Sequence, residues 1–307
     1  MKPLYIHFAQ SIAQQDVFQK TNFYGNLQKI APDTEVTTPN YKDYFKGSQL
    51  RRLSSILKAG MSIALNCSKS CTKPFDAIIL GTGLGCLTDT AKFLQNIKNK
   101  RGDLLSPTAF IQSTHNTISG QISILLNNKG YNVTHSQNSL SFEMSLIDTM
   151  TEFHEGANLV LVGGIDETHP FVKELNTKLK FHSYIDTFCA SFFVVQKQIT
   201  KERIAIKSVY TDFNQLSNDT FIEKVCEMES ISFEEIDLIL HSNSTCEIVK
   251  SHKNSVDYID FTGFNNSASA LATHFAYDFL AYNNCKSVLV VNDLFKNKGI
   301  IFLAKND

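Results

Sequence analysis

The sequence carries almost no net charge: 29 Lys and Arg stand against 30 Asp and Glu, a formal balance of -1. A polybasic groove for nucleic acid or for an anionic membrane is therefore excluded as the main activity. Long apolar runs are missing too. No stretch approaches eighteen apolar residues, so no membrane span is expected. The opening MKPLYIHFAQSIAQQ lacks the basic segment and apolar run of a secretory signal. Metal-ligand pairs are missing as well: Cys67 and Cys71 lie close together, but no second Cys or His pair completes a zinc site. The seven cysteines are odd in number and irregular in spacing. No metal and no cofactor are expected, and the plain expectation is a reduced, cytoplasmic protein. No Pro/Gly/Ser-rich linker divides the chain.

What is present supports a large packed body. Apolar residues make up 43% and charged residues 19% of the 307, which argues for a core and against disorder. At roughly 150 residues per domain the length amounts to about two domains. A chain of this size buries roughly three quarters of its unfolded surface. Short apolar runs at 75–80, 158–162, 192–195, 236–240 and 287–291 mostly end at turn signals, and suit strands buried on both faces. Helical periods lie between them. Positions 87, 91, 94 and 97 share one face, as do 142, 146, 150 and 153, with Glu143, Asp148 and Glu152 expected outside. Residues 219–230 and 268–282 read as two further helices. This alternation predicts an α/β fold. The order strand, helix, small-residue helix, strand occurs twice, which predicts two fused halves, residues 1–199 and 200–307.

The run Gly81-Thr82-Gly83-Leu84-Gly85 approaches a dinucleotide fingerprint, but its third glycine comes one residue early. A structural strand-to-helix turn is expected there. Cys189 is expected in the core. Asp166, Glu167 and His169 could hold a metal by residue type, and a solvated loop is the default expectation for them.

Five segments, in order, resemble the ketoacyl-ACP synthases of the thiolase fold. They are DAIILGTGLGCLTDTAKFL (76–94), SPTAFIQSTHNTISGQISILLNNKGYNVT (106–134), SFEMSLIDTMTEFHEGANLVLVGGIDETHP (141–170), EIDLILHSNST (235–245) and FTGFNNSASALATHF (261–275). The run Phe110-Ile111-Gln112-Ser113-Thr114-His115-Asn116-Thr117, with Ser141-Phe142-Glu143, resembles the chain length factor subfamily of aryl polyene and flexirubin pigment clusters. The resemblance implies duplicated βαβαβ halves in a layered αβαβα body.

Condensing members of that family use a cysteine thiolate at a helix N-terminus and two imidazoles. Here the cysteine position falls on Ser139, give or take two residues, and no cysteine lies between Cys86 and Cys189. His241 matches the first histidine, but the glycine that should follow is Ser242. Phe264 stands at the second histidine position, and phenylalanine neither donates a hydrogen bond nor shuttles a proton. The lysine position falls near Ile259, and the oxyanion turn reads Asn292-Asp293-Leu294-Phe295-Lys296-Asn297-Lys298-Gly299.

The resemblance thus implies a chain that does not condense acyl groups alone. It would form a heterodimer with an active ketosynthase subunit, meet acyl carrier protein through that complex, and close the end of the acyl tunnel. Phe110, Gln112, His115, Asn138 and Phe142 are the candidate tunnel or interface residues. Segments 108–120, 131–137 and 141–153 would face the partner. The alternative is an acyltransferase or malonyl decarboxylase using Ser139 and His241, which requires the two side chains within about 3 Å.

Overall fold

Neighbouring apolar residues that face opposite ways set the layering of this protein. The computed structural model describes residues 2–99, 106–179, 183–213, 215–242, 246–294 and 297–306. Its strands are β1 (Leu4–Ala13), β2 (Ala77–Gly81), β3 (Tyr131–His135), β4 (Leu159–Asp166), β5 (Cys189–Gln196), β6 (Ile204–Asp212), β7 (Leu238–His241), β8 (Ser255–Asp257), β9 (Ser287–Asn292) and β10 (Lys298–Lys305). The α-helices are α1 (Gly47–Arg52), α2 (Ser55–Lys69), α3 (Leu87–Asn99), α4 (Pro107–Gln112), α5 (Thr117–Leu126), α6 (Ser141–Glu155), α7 (Pro170–Leu179), α8 (Asn218–Glu229), α9 (Glu247–Ser251), α10 (Ile259–Thr262) and α11 (Ala268–Tyr282).

The strand order is β3-β2-β4-β5-β1-β6-β10-β9-β7-β8. Outward from the β1–β6 junction, β1, β5, β4, β2 and β3 correspond to β6, β10, β9, β7 and β8. Parallel and antiparallel pairings match step by step across the two sides. The halves meet where Leu4 faces Ile206 and Tyr5 faces Ala205. This is the duplicated α/β topology that the sequence implies.

Period-two alternation then distributes each strand between layers. Ile79, Val162 and Phe193 join α6 and α11 in a central core, while their neighbours Ile78, Leu161 and Phe192 join α2 and α5 outside. In the second half Leu240, Val290 and Ile301 face the same central helices, and Ile239, Leu289 and Ile300 face α8. Helices α6 and α11 are thus sandwiched between the two sheet halves, giving five layers, αβαβα.

The sandwich corrects one expectation directly. Glu143 is not outside: it is fully buried on α6. A helix packed between two sheets has no outer face near its N-terminus, and Ser141, Ser145 and Thr149 are buried beside it. Ser145 donates to Ser141 O (2.9 Å) and Thr149 to Ser145 O (2.7 Å) within the helix, and Ser141 donates to Asn138 O (2.7 Å) in the turn before it.

A second correction concerns α3. The helix forms where the period predicts, but none of its residues is buried. Leu94 is 58% and Ile97 44% exposed. Among the described residues, the outer part of its apolar face stays open.

Candidate functional site

The functional end of the sheet is the end where β4 finishes and the central helices begin. Three turns converge there: 82–85 after β2, 136–140 between β3 and α6, and 263–267 before α11. Close approach depends on glycine at Gly81 and Gly83, where a Cβ would collide with the Ser141 backbone and the Asn266 side chain.

Asp166, the last residue of β4, knits two of these turns together. It is 1% exposed and accepts from Thr82 Oγ1 (3.1 Å), Gly83 N (3.0 Å), Leu84 N (2.9 Å) and Ser267 Oγ (2.6 Å). Burial raises its carboxyl from the ordinary range, and these donors pull the other way. Glu167, also buried, accepts from Thr88 N (2.8 Å) and Thr88 Oγ1 (2.9 Å) in the first turn of α3. The expectation of a solvated loop therefore fails for both: an acidic pair ending a buried strand is anchored by backbone N–H groups. His169 lies beyond the strand, half-buried. Among the described residues, no three Cys, His, Asp or Glu side chains gather as metal ligands.

The turns enclose a cavity of about 190 Å³, lined by Leu84, Asn138, Asp166, Phe264, Asn265 and Asn266 among others. Asn138 holds a left-handed backbone, φ 50°, at the sharp turn into α6. The sequence register puts Ser139 at the nucleophile position, but the folded turn presents Asn138 to the cavity instead. Ser139 is 1% exposed, and its Oγ donates to Leu294 O at 3.0 Å. Asn292 Nδ2 donates to the Ser139 carbonyl at 2.8 Å and to Glu143 Oε1 at 2.7 Å. Burial pushes the Glu143 carboxyl up to about 7.

His241 ends β7 with 6% exposure, and its carbonyl accepts from Tyr258 N at 2.9 Å. Ser139 spends its hydroxyl on Leu294, and neither Ser139 nor His241 lines the cavity. Phe264 does line it, its ring stacked on Tyr184 at 6.1 Å. Its backbone is fixed by Phe264 N to Ile185 O (2.8 Å) and Thr187 N to Phe264 O (3.0 Å). Ile259 is buried. Of the residues read as the oxyanion turn, Phe295 and Lys296 lie outside the described residues, as does Asn243 after Ser242.

The remaining candidates fall on one face, with one exception. Phe110 on α4 is 57% exposed, Gln112 half-buried, and His115 exposed beside Gly85. Phe142 is fully buried, stacked on Phe193 at 5.7 Å, so it has no area open to a second chain. Cys189 starts β5 in the core, with burial pushing its thiol up to about 12.

Sequence reasoning missed the Asn292–Glu143 link and the role of Asp166. The signal for Asp166 was present: a carboxylate closing the apolar run 159–165 must find donors. For Glu143 the signal is the flank of Ser141, Ser145 and Thr149, small residues that let a sheet approach the helix.

The family profile described as beta-ketoacyl synthase, N-terminal domain, matches residues 34–246. No curated protein matches the sequence. Among solved structures, the ishigamide ketosynthase/chain length factor aligns over 100% of both chains with TM-score 0.77 at 14% identity. A ketosynthase in complex with its chain length factor from Xenorhabdus doucetiae aligns over 99% of this chain and 100% of that one, with TM-score 0.64 at 15% identity. A beta-ketoacyl synthase from Burkholderia phymatum aligns over 100% of both chains, with TM-score 0.76 at 9% identity.

Proposed function

The chain belongs to the beta-ketoacyl synthase family, and from that premise we propose that it is a non-condensing, chain-length-factor-type subunit. The observation that carries this reading is the cavity itself. Asn138 and Phe264 are among the residues that line it, where condensation needs a thiolate and an imidazole. Neither residue forms an acyl bond or moves a proton at neutral pH.

The second support is the uncovered apolar surface. Leu94 and Ile97 on α3, Phe110 and Ile111 on α4, Ile124 on α5 and Tyr131 on β3 are each at least 41% exposed. Phe93 and Phe110 pack ring to ring at 5.6 Å across α3 and α4. Beside them β3 ends the sheet, with unpaired backbone groups on its outer side. Exposed apolar side chains in such numbers suit an obligate protein interface. The partner is a cysteine-bearing ketosynthase, and the complex meets acyl carrier protein in the cytoplasm. Phe110, Gln112, His115 and Asn138 face the shared tunnel, with Phe142 backing them from the core. In a dry tunnel a bulky wall discriminates by about 1–3 kcal/mol per methylene. The two halves divide at residues 199 and 200, and the product is a polyene of the aryl polyene or flexirubin kind.

The acyltransferase or decarboxylase alternative loses support, because the Ser139 hydroxyl donates to Leu294 O and not to an imidazole. A malonyl carboxylate would also meet Asp166, Glu167 and Asp186 on the cavity wall, with no Lys or Arg among the described lining residues. Co-expressed with its ketosynthase, the chain is expected to purify as a one-to-one complex in which Ser139→Ala leaves elongation intact. Loss of product in that variant would overturn the non-catalytic reading.

A further inference from the structure

The two central helices begin at duplicated places, and each is gripped by a strand end from the other half. Asp166, ending β4, accepts from Ser267, the residue before α11. Asn292, ending the duplicate strand β9, holds Ser139 O and Glu143 at the start of α6. The two clasps differ chemically. Asp166 receives donors on both oxygens. Glu143 has one oxygen on Asn292, while its Oε2 is buried with no hydrogen-bond partner.

The surroundings of Glu143 are neutral. Facing it are Asn292 of β9, Ser269 of α11, Tyr258 just before α10, and Gly299 of β10, where a Cβ would come within 2.9 Å of its Cγ. Tyr258 is the titratable one, and burial holds its phenol well above the usual range. Strands β2, β4 and β6 bring Ile79, Val162 and Ile206 to the same core. On α6 itself, Asp148 is paired with His135 of β3 at 2.8 Å. Among the described residues, no cation faces the Glu143 carboxyl.

We propose that Glu143 is a protonation latch between the halves: as the neutral acid it keeps the turn 137–141 closed on residues 292–294, and ionisation releases both to water. Its carboxyl titrates at about 7 when closed and returns towards the ordinary 4.5 when opened. The closed state is therefore fully favoured below pH 4.5 and loses that advantage as pH rises to about 7. Over that window opening grows about tenfold per pH unit, then levels off. Burial raises the Asp166 carboxyl as well, against donors on both of its oxygens, so its clasp shares the sign of this dependence and is no pH-independent reference.

Amide hydrogen exchange on the full chain, corrected for intrinsic rates, tests the latch. From pH 5 to pH 8 protection at 139–143 and 292–294 should fall by up to about a hundredfold. Glu143→Gln, which keeps the carbonyl for Asn292 without a titrating proton, should abolish the fall. A level profile at 139–143 and 292–294 in the unsubstituted chain would overturn the proposal, as would a fall that persists in Glu143→Gln. The first comparison needs no variant, so it decides even if Glu143→Gln does not fold.

Discussion

Single side chains at this site are held by accounts that close, and removing one leaves others open. Asp166→Ala would strand the donors of Thr82, Gly83, Leu84 and Ser267 in a dry turn. The expected loss is at least about 3 kcal/mol, read as a lower denaturant midpoint; an unchanged midpoint would contradict this role. The cysteines give a chemical check. Burial pushes Cys189 to about 12 and Cys226 and Cys246 to about 11, and raises Cys67 and Cys86 as well. Thiolate is the reactive form, so alkylation of the native chain at pH 8 should be confined to the half-buried Cys71 and Cys285, with all seven reacting in denaturant. Fast labelling of Cys189 would mean that the core is not packed as described. The sequence shows that cysteine is missing before α6 but not which neighbour replaces it. The one-residue offset between Ser139 and Asn138 is set by Leu294 O, a partner 155 positions away that no local pattern reveals.

Helices and strands separate into those that announce themselves and those that depend on the assembly. Strands β2, β4, β7 and β9 are short apolar runs, buried on both faces, and local sequence suffices to place them. Strands β1 and β6 escape the same reading because polar residues interrupt them. Ser11 is one example: it is fully buried in β1, donating to Ser191 Oγ at 2.7 Å and bonded to His274 Nδ1 at 2.8 Å. His274 is pushed down to about 3 by burial, so it sits neutral in the core. Such polar residues become tolerable only once the seam between the halves has formed. Helix α3 fails in the opposite way: its apolar period is clear, but among the described residues Leu94 and Ile97 stay exposed. Leu94→Lys combined with Ile97→Lys should therefore shift the stability of the isolated chain by no more than about 0.5 kcal/mol. The same pair should abolish co-purification with the ketosynthase. A large drop in the melting temperature of the isolated chain would place α3 in the core instead.

At the scale of the molecule, duplication accounts for the length. Two halves of one topology bring three turns to a common end, and the sheet order records that ancestry strand by strand. The near-neutral balance of 29 basic and 30 acidic residues suits a chain that covers much of its surface with a protein partner. Expressed alone, it should self-associate, because obligate interfaces resemble a core cut in half; sedimentation velocity would show this, and a stable monomer would contradict it. The central claim is that this subunit shapes a tunnel without ever carrying the acyl chain. Intact-mass spectrometry of the co-purified pair, after incubation with acyl-loaded carrier protein, tests it most directly. The account predicts an acyl adduct on the ketosynthase and none on this chain, and an adduct on this chain would contradict it.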